Sequence, residues 1–297
     1  MRLGSGDFVY ERVEEWLKLP EYFTLGQGVP TPVDVAVDSK DRVFLLSSGN
    51  HQVLILDRDS NFVSCWGEGH FRNTHDLTIG PDDSLYIVDR QAHVVEKYTP
   101  DGKLLTTLGK RDWAASTRTG LPFNLPTGVA LGPSGDIFVS DGYGNSRIHK
   151  FSPEGKLIKS WGEAGKGPGQ FCIPHHLAVD RHSTVYVCDR HNHRIQTFTS
   201  EGEFITMWTD FNYPEYAYID QQNDIVYITE GFTEPPNQPR ITIRDLSGRI
   251  LSQWGGKESE GKGVMEDSHG IVIDSHGDIY LSDLHHPQSV MKFMKVS

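Results

Sequence analysis

The sequence predicts an all-β protein: a six-bladed β-propeller of four-stranded blades, its ring closed by the N-terminal strand. Three observations predict it. One strand-opening phrase recurs six times, as "TPVDVAVD" (31–38), "NTHDLTIG" (73–80), "LPTGVALG" (125–132), "IPHHLAVD" (173–180), "YPEYAYID" (213–220) and "DSHGIVID" (267–274). Each copy but the last heads a unit of four strands, and six units at a spacing of roughly 40–50 residues are the pattern of a propeller. The last unit ends in "SVMKFMKVS" and lacks a fourth strand, while "FVYERVEEWLK" stands unassigned before the first unit.

Within a unit the elements follow from local chemistry. The opening phrase alternates apolar residues and ends in a tight polar turn such as "GPSGD" or "DSHGD". A second strand follows, for example "DIFVSDG" or "TVYVCDR". The third carries "RIHKF" or "RIQTF" and a turn like "SPEGK"; the fourth ends in "SCWGEG", "TTLGK", "KSWGEAG", "TMWTD" or "SQWGG". The N-terminal segment brings Trp16 to the place held elsewhere by Trp66, Leu108, Trp161, Trp208 and Trp254, so it reads as the missing strand of the last blade. A helix over 11–18 is the competing reading, given the Glu and Leu there. The longest insertion, "GKRDWAASTRTGLPF" (109–123), reads as a loop on one rim. No linker or second domain interrupts the pattern, and residues 1–297 read as one propeller domain.

A net charge of −12 argues against nucleic acid or an anionic membrane surface as partner and leaves a small-molecule substrate. No apolar run approaches the roughly 18 residues of a membrane span. The N-terminus has no apolar stretch of the secretory type. Cys65, Cys172 and Cys188 form an odd set without metal-ligand spacing, as expected of free thiols in a reducing, cytoplasmic setting.

Aligning the six opening phrases exposes the candidate site. One slot holds Val33, His75, Thr127, His175, Glu215 and His269. Histidine thus occupies units two, four and six, a third of a turn apart in a six-membered ring. Inner strands line the central channel, so three imidazoles converge on the axis at one depth. That is a trigonal set with an open axial position, as catalytic zinc prefers. Neutral imidazole also suits iron, copper or nickel, so the metal is zinc or another divalent transition ion. Fourteen histidines are scattered through the chain, and a lone one is usually structural. His149, His176, His182, His191 and His193 are read as surface or rim residues. Glu215, in the histidine slot of unit five, is a base, a fourth ligand or a hydrated channel carboxylate.

A second slot follows each second strand. Its repeated acid, in Asp89, Asp141, Asp189 and Asp283, suits a tie for the blade's own turn. The residues just after it, Arg90, Tyr143 and Arg190, are either solvated rim residues or a ring over the channel mouth. Two guanidiniums and a phenol there suit an oxygen-rich or anionic ligand.

The stretch "DGYGNSRIHKFSPEGKLIKSWGE" with "GQFCIPHHLAVD" resembles the peptidyl-α-hydroxyglycine α-amidating lyases and their bacterial relatives within the NHL-repeat propellers. The resemblance runs from about residue 8 to the end and is strongest over 139–196. It implies a zinc held by His75, His175 and His269, a catalytic tyrosine at Tyr143 and an active-site arginine at Arg190. It also implies a structural calcium held largely by backbone carbonyls near Val35 and Leu77. The implied reaction is cleavage of a carbinolamide to an amide and an aldehyde. Metal coordination acidifies the substrate hydroxyl, and Tyr143 takes or shuttles its proton.

Departures from the family pattern concern the substrate. A second family arginine falls at Ser48, and Arg90 on the neighbouring unit is the candidate to replace its charge. Asp267 stands for a methionine, Gly270 for a calcium-linked aspartate (Asp34 and Asp76 hold the equivalent slots of other units), and Gly144 for a cystine. A metal-dependent hydrolase or another lyase on the same site, and a non-catalytic NHL binding module, are the alternative readings.

Overall fold

Alternation decides the architecture. In the second strand of blade one, Val43 and Leu45 face one way while Phe44 and Leu46 face the other, because successive side chains of a strand point to opposite faces. A sheet apolar on both faces must be covered on both. In the computed structural model, which describes residues 1–19, 32–47, 52–231, 239–256, 265–286 and 289–296, neighbouring blades provide that cover. Among the described residues each of six apolar clusters joins two adjacent blades, and the one joining blades six and one closes the circle.

The inner strands are Pro32–Val37, Thr74–Ile79, Gly128–Leu131, Pro174–Val179, Pro214–Asp220 and Ser268–Ile273. Five blades are four-stranded antiparallel sheets in sequence order. The sixth has five strands, because the N-terminal hairpin Arg2–Ser5 and Phe8–Val13 adds outside Val290–Lys295. Tyr10 pairs with Lys295 and Val13 with Lys292. The first hairpin strand was not expected from the repeat. The helical reading of 11–18 fails: the strand runs to Val13 and a turn follows. The reason is that an open edge on Val290–Lys295 offers a row of backbone partners to the incoming chain.

Trp16 lies just past that strand, yet does the work of a fourth-strand tryptophan. Its indole N–H donates to the Arg58 carbonyl in the turn of blade one, as that of Trp66 donates to Pro100 in the turn of blade two. Each such side chain covers the turn of the next blade. A Cβ on Gly102 or Gly202 would lie 2.6 or 2.7 Å from the ring of Trp66 or Trp161, so glycine permits the approach. Trp254 meets no such turn and packs on Tyr10 of the N-terminal strand, with ring centroids 5.3 Å apart. The insertion 109–123 is a rim loop whose last residue, Phe123, is buried in the cluster between blades two and three. No helix among the described residues is long and apolar enough to cross a membrane.

Candidate functional site

The ladder breaks at the slot. In blades one, two, four and five the register skips Val33, His75, His175 and Glu215, and in blade six it skips His269 and Gly270. Each slot residue is therefore the extra residue of a β-bulge, a device that re-aims a side chain. Proline opens three of these strands, at Pro32, Pro174 and Pro214, where a missing N–H costs no ladder bond. The bulge was missed from sequence, and those prolines were its signal.

The bulges bring His75, His175 and His269 together. Their ring centroids form a nearly equilateral triangle, with sides of 4.9, 5.0 and 5.1 Å. One nitrogen from each lies within 4.8 Å of the others, a group that could hold a metal ion. Backbone carbonyls orient the rings. His75 Nδ1 meets the Thr127 carbonyl at 2.7 Å, and His175 Nδ1 meets that of Glu215 at 2.9 Å. Both acceptors are the slot residues of the following blades. The Val33 carbonyl acts on His269 in the same sense, although its Nδ1 falls short of hydrogen-bond geometry. A proton held on Nδ1 leaves the Nε2 lone pair for the axis. Burial, with Arg190 as the next cause, lowers the pKa of His269 to about 3. Burial also drives His75 and His175 well below the usual histidine value, helped by His269 and Arg90 at the first and by Arg190 at the second. Three neutral imidazoles, two of them hydrogen-bonded to backbone carbonyls, fit a divalent transition ion.

Tyr143 stands over this triangle. Its hydroxyl lies 3.1 Å from His75 Nε2 and 3.2 Å from His175 Nε2. Its ring is flanked by the guanidiniums of Arg90 at 5.2 Å and Arg190 at 5.6 Å from the centroid. All three side chains therefore face a cavity of about 300 Å³, together with Asp267 and Leu284. Arg190 is buried and donates to Glu215 Oε2 at 3.0 Å, the same oxygen that lies 3.0 Å from His175 Nδ1. Glu215 thus stands behind a ring of the triangle, joined to Arg190; it also lines the cavity wall, while being almost fully buried. Burial raises its pKa to about 8 against the lowering effect of Arg190. Asp267 carries a further partner that sequence reasoning missed, His285 Nδ1 at 2.9 Å. Ser48 lies outside the described residues.

The repeated acids do tie down turns. Asp89, Asp141, Asp189 and Asp283 each accept an amide from the loop that enters the inner strand of their own blade, at Asn73, Asn124, Cys172 and Asp267. Two histidine readings need correction. His149 is fully buried between Asp141 and Ser160, and His176 is buried on the axis. His176 follows a bulge, so it turns inward instead of outward, and its ring stacks on Tyr216 at 3.5 Å. Around Val35 and Leu77 the amides of both residues donate to Asp34. Among the described residues no side-chain cluster that could hold a cation gathers there.

Comparison with known proteins agrees with the propeller fold. A family model described as a 6-bladed beta-propeller matches residues 132–295, and the chain belongs to that family. It is 35% identical over 235 residues to the rat peptidylglycine alpha-amidating monooxygenase, covering 68% of this chain and 23% of that protein. It is 39% identical over 152 residues to peptidyl-alpha-hydroxyglycine alpha-amidating lyase 1 of Drosophila melanogaster, covering 47% and 28%. The human NHL repeat-containing protein 3 is 32% identical over 208 residues, covering 66% and 58%. The matched part is thus about a quarter of the length of the two amidating relatives. A solved streptogramin B lyase superposes with a TM-score of 0.63 over 96% of this chain and 97% of that one, at 14% identity, a likeness of fold.

Proposed function

We propose that the protein is a metal-dependent lyase that cleaves the carbon–nitrogen bond of a carbinolamide-like substrate, giving an amide and an aldehyde. The observation that carries this reading is the Tyr143 hydroxyl within hydrogen-bond reach of two of three converging histidines, at the floor of a cavity. The relatives named amidating lyases support the reaction class. His75, His175 and His269 would hold a divalent transition ion, zinc first, which supplies Lewis acidity toward the substrate hydroxyl. Tyr143 accepts the hydroxyl proton and passes its own to the departing nitrogen. The C=O bond forms as the C–N bond breaks, so one proton moves and no oxidant is needed. Arg90 and Arg190 hold oxygen-rich parts of the substrate over the phenol ring. That Cys65, Cys172 and Cys188 form no disulfide supports a reducing, cytoplasmic setting.

Ser48, where the family pattern has an arginine, supports a substrate unlike C-terminal hydroxyglycine peptides. Losing one charge-assisted hydrogen bond costs about 1.5–3 kcal/mol, roughly one to two decades in kcat/KM. The test compares α-hydroxyhippurate with a carbinolamide lacking its carboxylate, in the zinc-loaded wild type, Ser48→Arg and Tyr143→Phe. The uncharged substrate should be preferred by wild type, and the arginine should restore α-hydroxyhippurate. Tyr143→Phe should lower turnover of either substrate by about 10²–10⁴-fold. Efficient turnover of α-hydroxyhippurate with no gain from arginine would overturn the substrate reading. Full activity of the phenylalanine variant would remove Tyr143 from the chemistry.

A further inference from the structure

We propose that Glu215 couples metal binding to anion binding, because a single carboxylate is shared between the metal-site ring of His175 and the guanidinium of Arg190. The proposal rests on the three histidines being a metal site. It concerns how that site and the anion-binding wall communicate.

The three rings of the triangle are not equivalent. His75 has behind it the carbonyl of Thr127, and His269 that of Val33. Among the described residues, His175 alone of the three has a carboxylate there as well. The Nδ1 of His175 is hydrogen-bonded to the Glu215 carbonyl at 2.9 Å, and Oε2 of the same residue lies 3.0 Å from that nitrogen, close enough for electrostatic contact but outside hydrogen-bond geometry. That same Oε2 accepts from Arg190 Nη1 at 3.0 Å, and Oε1 is 3.4 Å from it. Glu215 and Arg190 are 1% and 4% exposed, so solvent neither screens nor replaces this arrangement. Arg190 also reaches the cavity, beside the ring of Tyr143. The carboxylate therefore links an imidazole aimed at the metal position to a guanidinium aimed at the substrate cavity.

Charge bound at the Nε2 side of His175 makes its Nδ1–H a stronger donor to Glu215. With Glu215 ionised between a metal-charged imidazole and a guanidinium, the shared oxygen is then drawn toward the imidazole, and Arg190 is neutralised less. Its guanidinium attracts an anion in the cavity more strongly. The reverse follows by linkage: an anion on Arg190 returns the carboxylate to His175 and tightens the metal. Glu215 in this account is a positioning residue, acting through His175 and Arg190.

The test measures zinc affinity by competition with a chromogenic chelator, with and without hippurate, an anion probe that lacks the reactive hydroxyl. In wild type, hippurate should tighten zinc by about 5-fold or more. Glu215→Gln, nearly isosteric, should weaken zinc about 10–100-fold and abolish the hippurate effect. Arg190→Gln should bind zinc as tightly as wild type or several-fold more tightly, since Glu215 is left wholly to His175 and a nearby cation is gone, and should also lose the effect. A loss of zinc affinity in Glu215→Gln with none in Arg190→Gln separates coupling from damage to the fold, which would weaken both. The proposal is overturned if Glu215→Gln keeps wild-type zinc affinity, or keeps the hippurate effect, which would then reflect direct contact between hippurate and zinc. It is likewise overturned if both variants weaken zinc equally. Absence of zinc binding in the wild type is a different result: it removes the metal site itself, and this proposal with it.

Discussion

The histidine slot and the residue after it both face the propeller axis, one layer apart, and the chain treats the two layers differently. In the upper layer, backbone carbonyls engage the Nδ1 atoms of His75 and His175 and leave the other nitrogens converging on one point. In the lower layer, backbone N–H groups engage the side chains. Asp34 accepts from Val35 and Leu77, Asp76 accepts from Val129, and Ala217 donates to His176. The His176 ring then stacks on Tyr216 and plugs the axis. Burial is alike in both layers and raises the pKa of Asp34 well above, and that of Asp76 to about 7. What differs is the polarity of the backbone groups aimed at each layer. Donors aimed at Asp34, Asp76 and His176 Nδ1 use up the lone pairs they meet; acceptors aimed at imidazoles leave lone pairs free for a ligand.

Both layers exist because the ring closes, so opening it is the strongest way to break the comparison. Deleting residues 1–19 removes Leu3, Tyr10 and Trp16, all buried, and bares the edge of Val290–Lys295. At about 1.5–3 kcal/mol for each large side chain, the loss rivals the whole stability of a typical domain, about 5–15 kcal/mol. The truncated protein should aggregate and show no cooperative melting. A truncated protein that is monodisperse and melts like the parent would mean that neither layer depends on the N-terminal strand.

A pair of neighbouring histidines sharpens the contrast. His175→Ala should reduce zinc affinity by more than about 100-fold, beyond the 10–100-fold of an outer-shell loss, while the melting temperature of the metal-free protein changes little. His176→Leu should do the opposite. It should bind zinc normally but lose about 1–3 kcal/mol of stability, because the Ala217 amide loses its acceptor. Elemental analysis and thermal melting of both variants decide it. Equal metal content in the two would erase the distinction between the layers.

How much of this was legible in the sequence depends on what repeats. The blades, their order and the three histidines repeat with the unit, so aligning six phrases exposed them. Closure was legible through an absence, the missing fourth strand after "SVMKFMKVS". The extra strand Arg2–Ser5 was not, because it belongs to no repeat. Nor was the inward turn of His176: strict alternation sends the residue after the slot away from the axis, and a bulge reverses that. The link from His175 through Glu215 to Arg190 joins side chains of blades four and five, and spacing along one chain does not show such a contact.

The smallest effect tests the lower layer by itself. Gly270 holds the place after His269, and a Cβ there would come within 1.9 Å of Asp34 Oδ1 and 3.0 Å of Ser282 Oγ. Its backbone φ is not in the left-handed region, so the demand for glycine is one of space and not of conformation. Gly270→Ala should therefore cost about 1–3 kcal/mol by overpacking. Asp34→Ala should cost a similar amount for a different reason, leaving the Val35 and Leu77 amides without their acceptor. In the double variant the alanine methyl enters the space vacated by the carboxylate. The two costs should then fall short of their sum by about 1–2 kcal/mol, a coupling well outside the ~0.5 kcal/mol expected of independent sites. Thermal or urea melting of the metal-free proteins measures it. Strict additivity would mean that Gly270 answers to some neighbour other than Asp34, and that the lower layer is not the closed unit its hydrogen bonds describe.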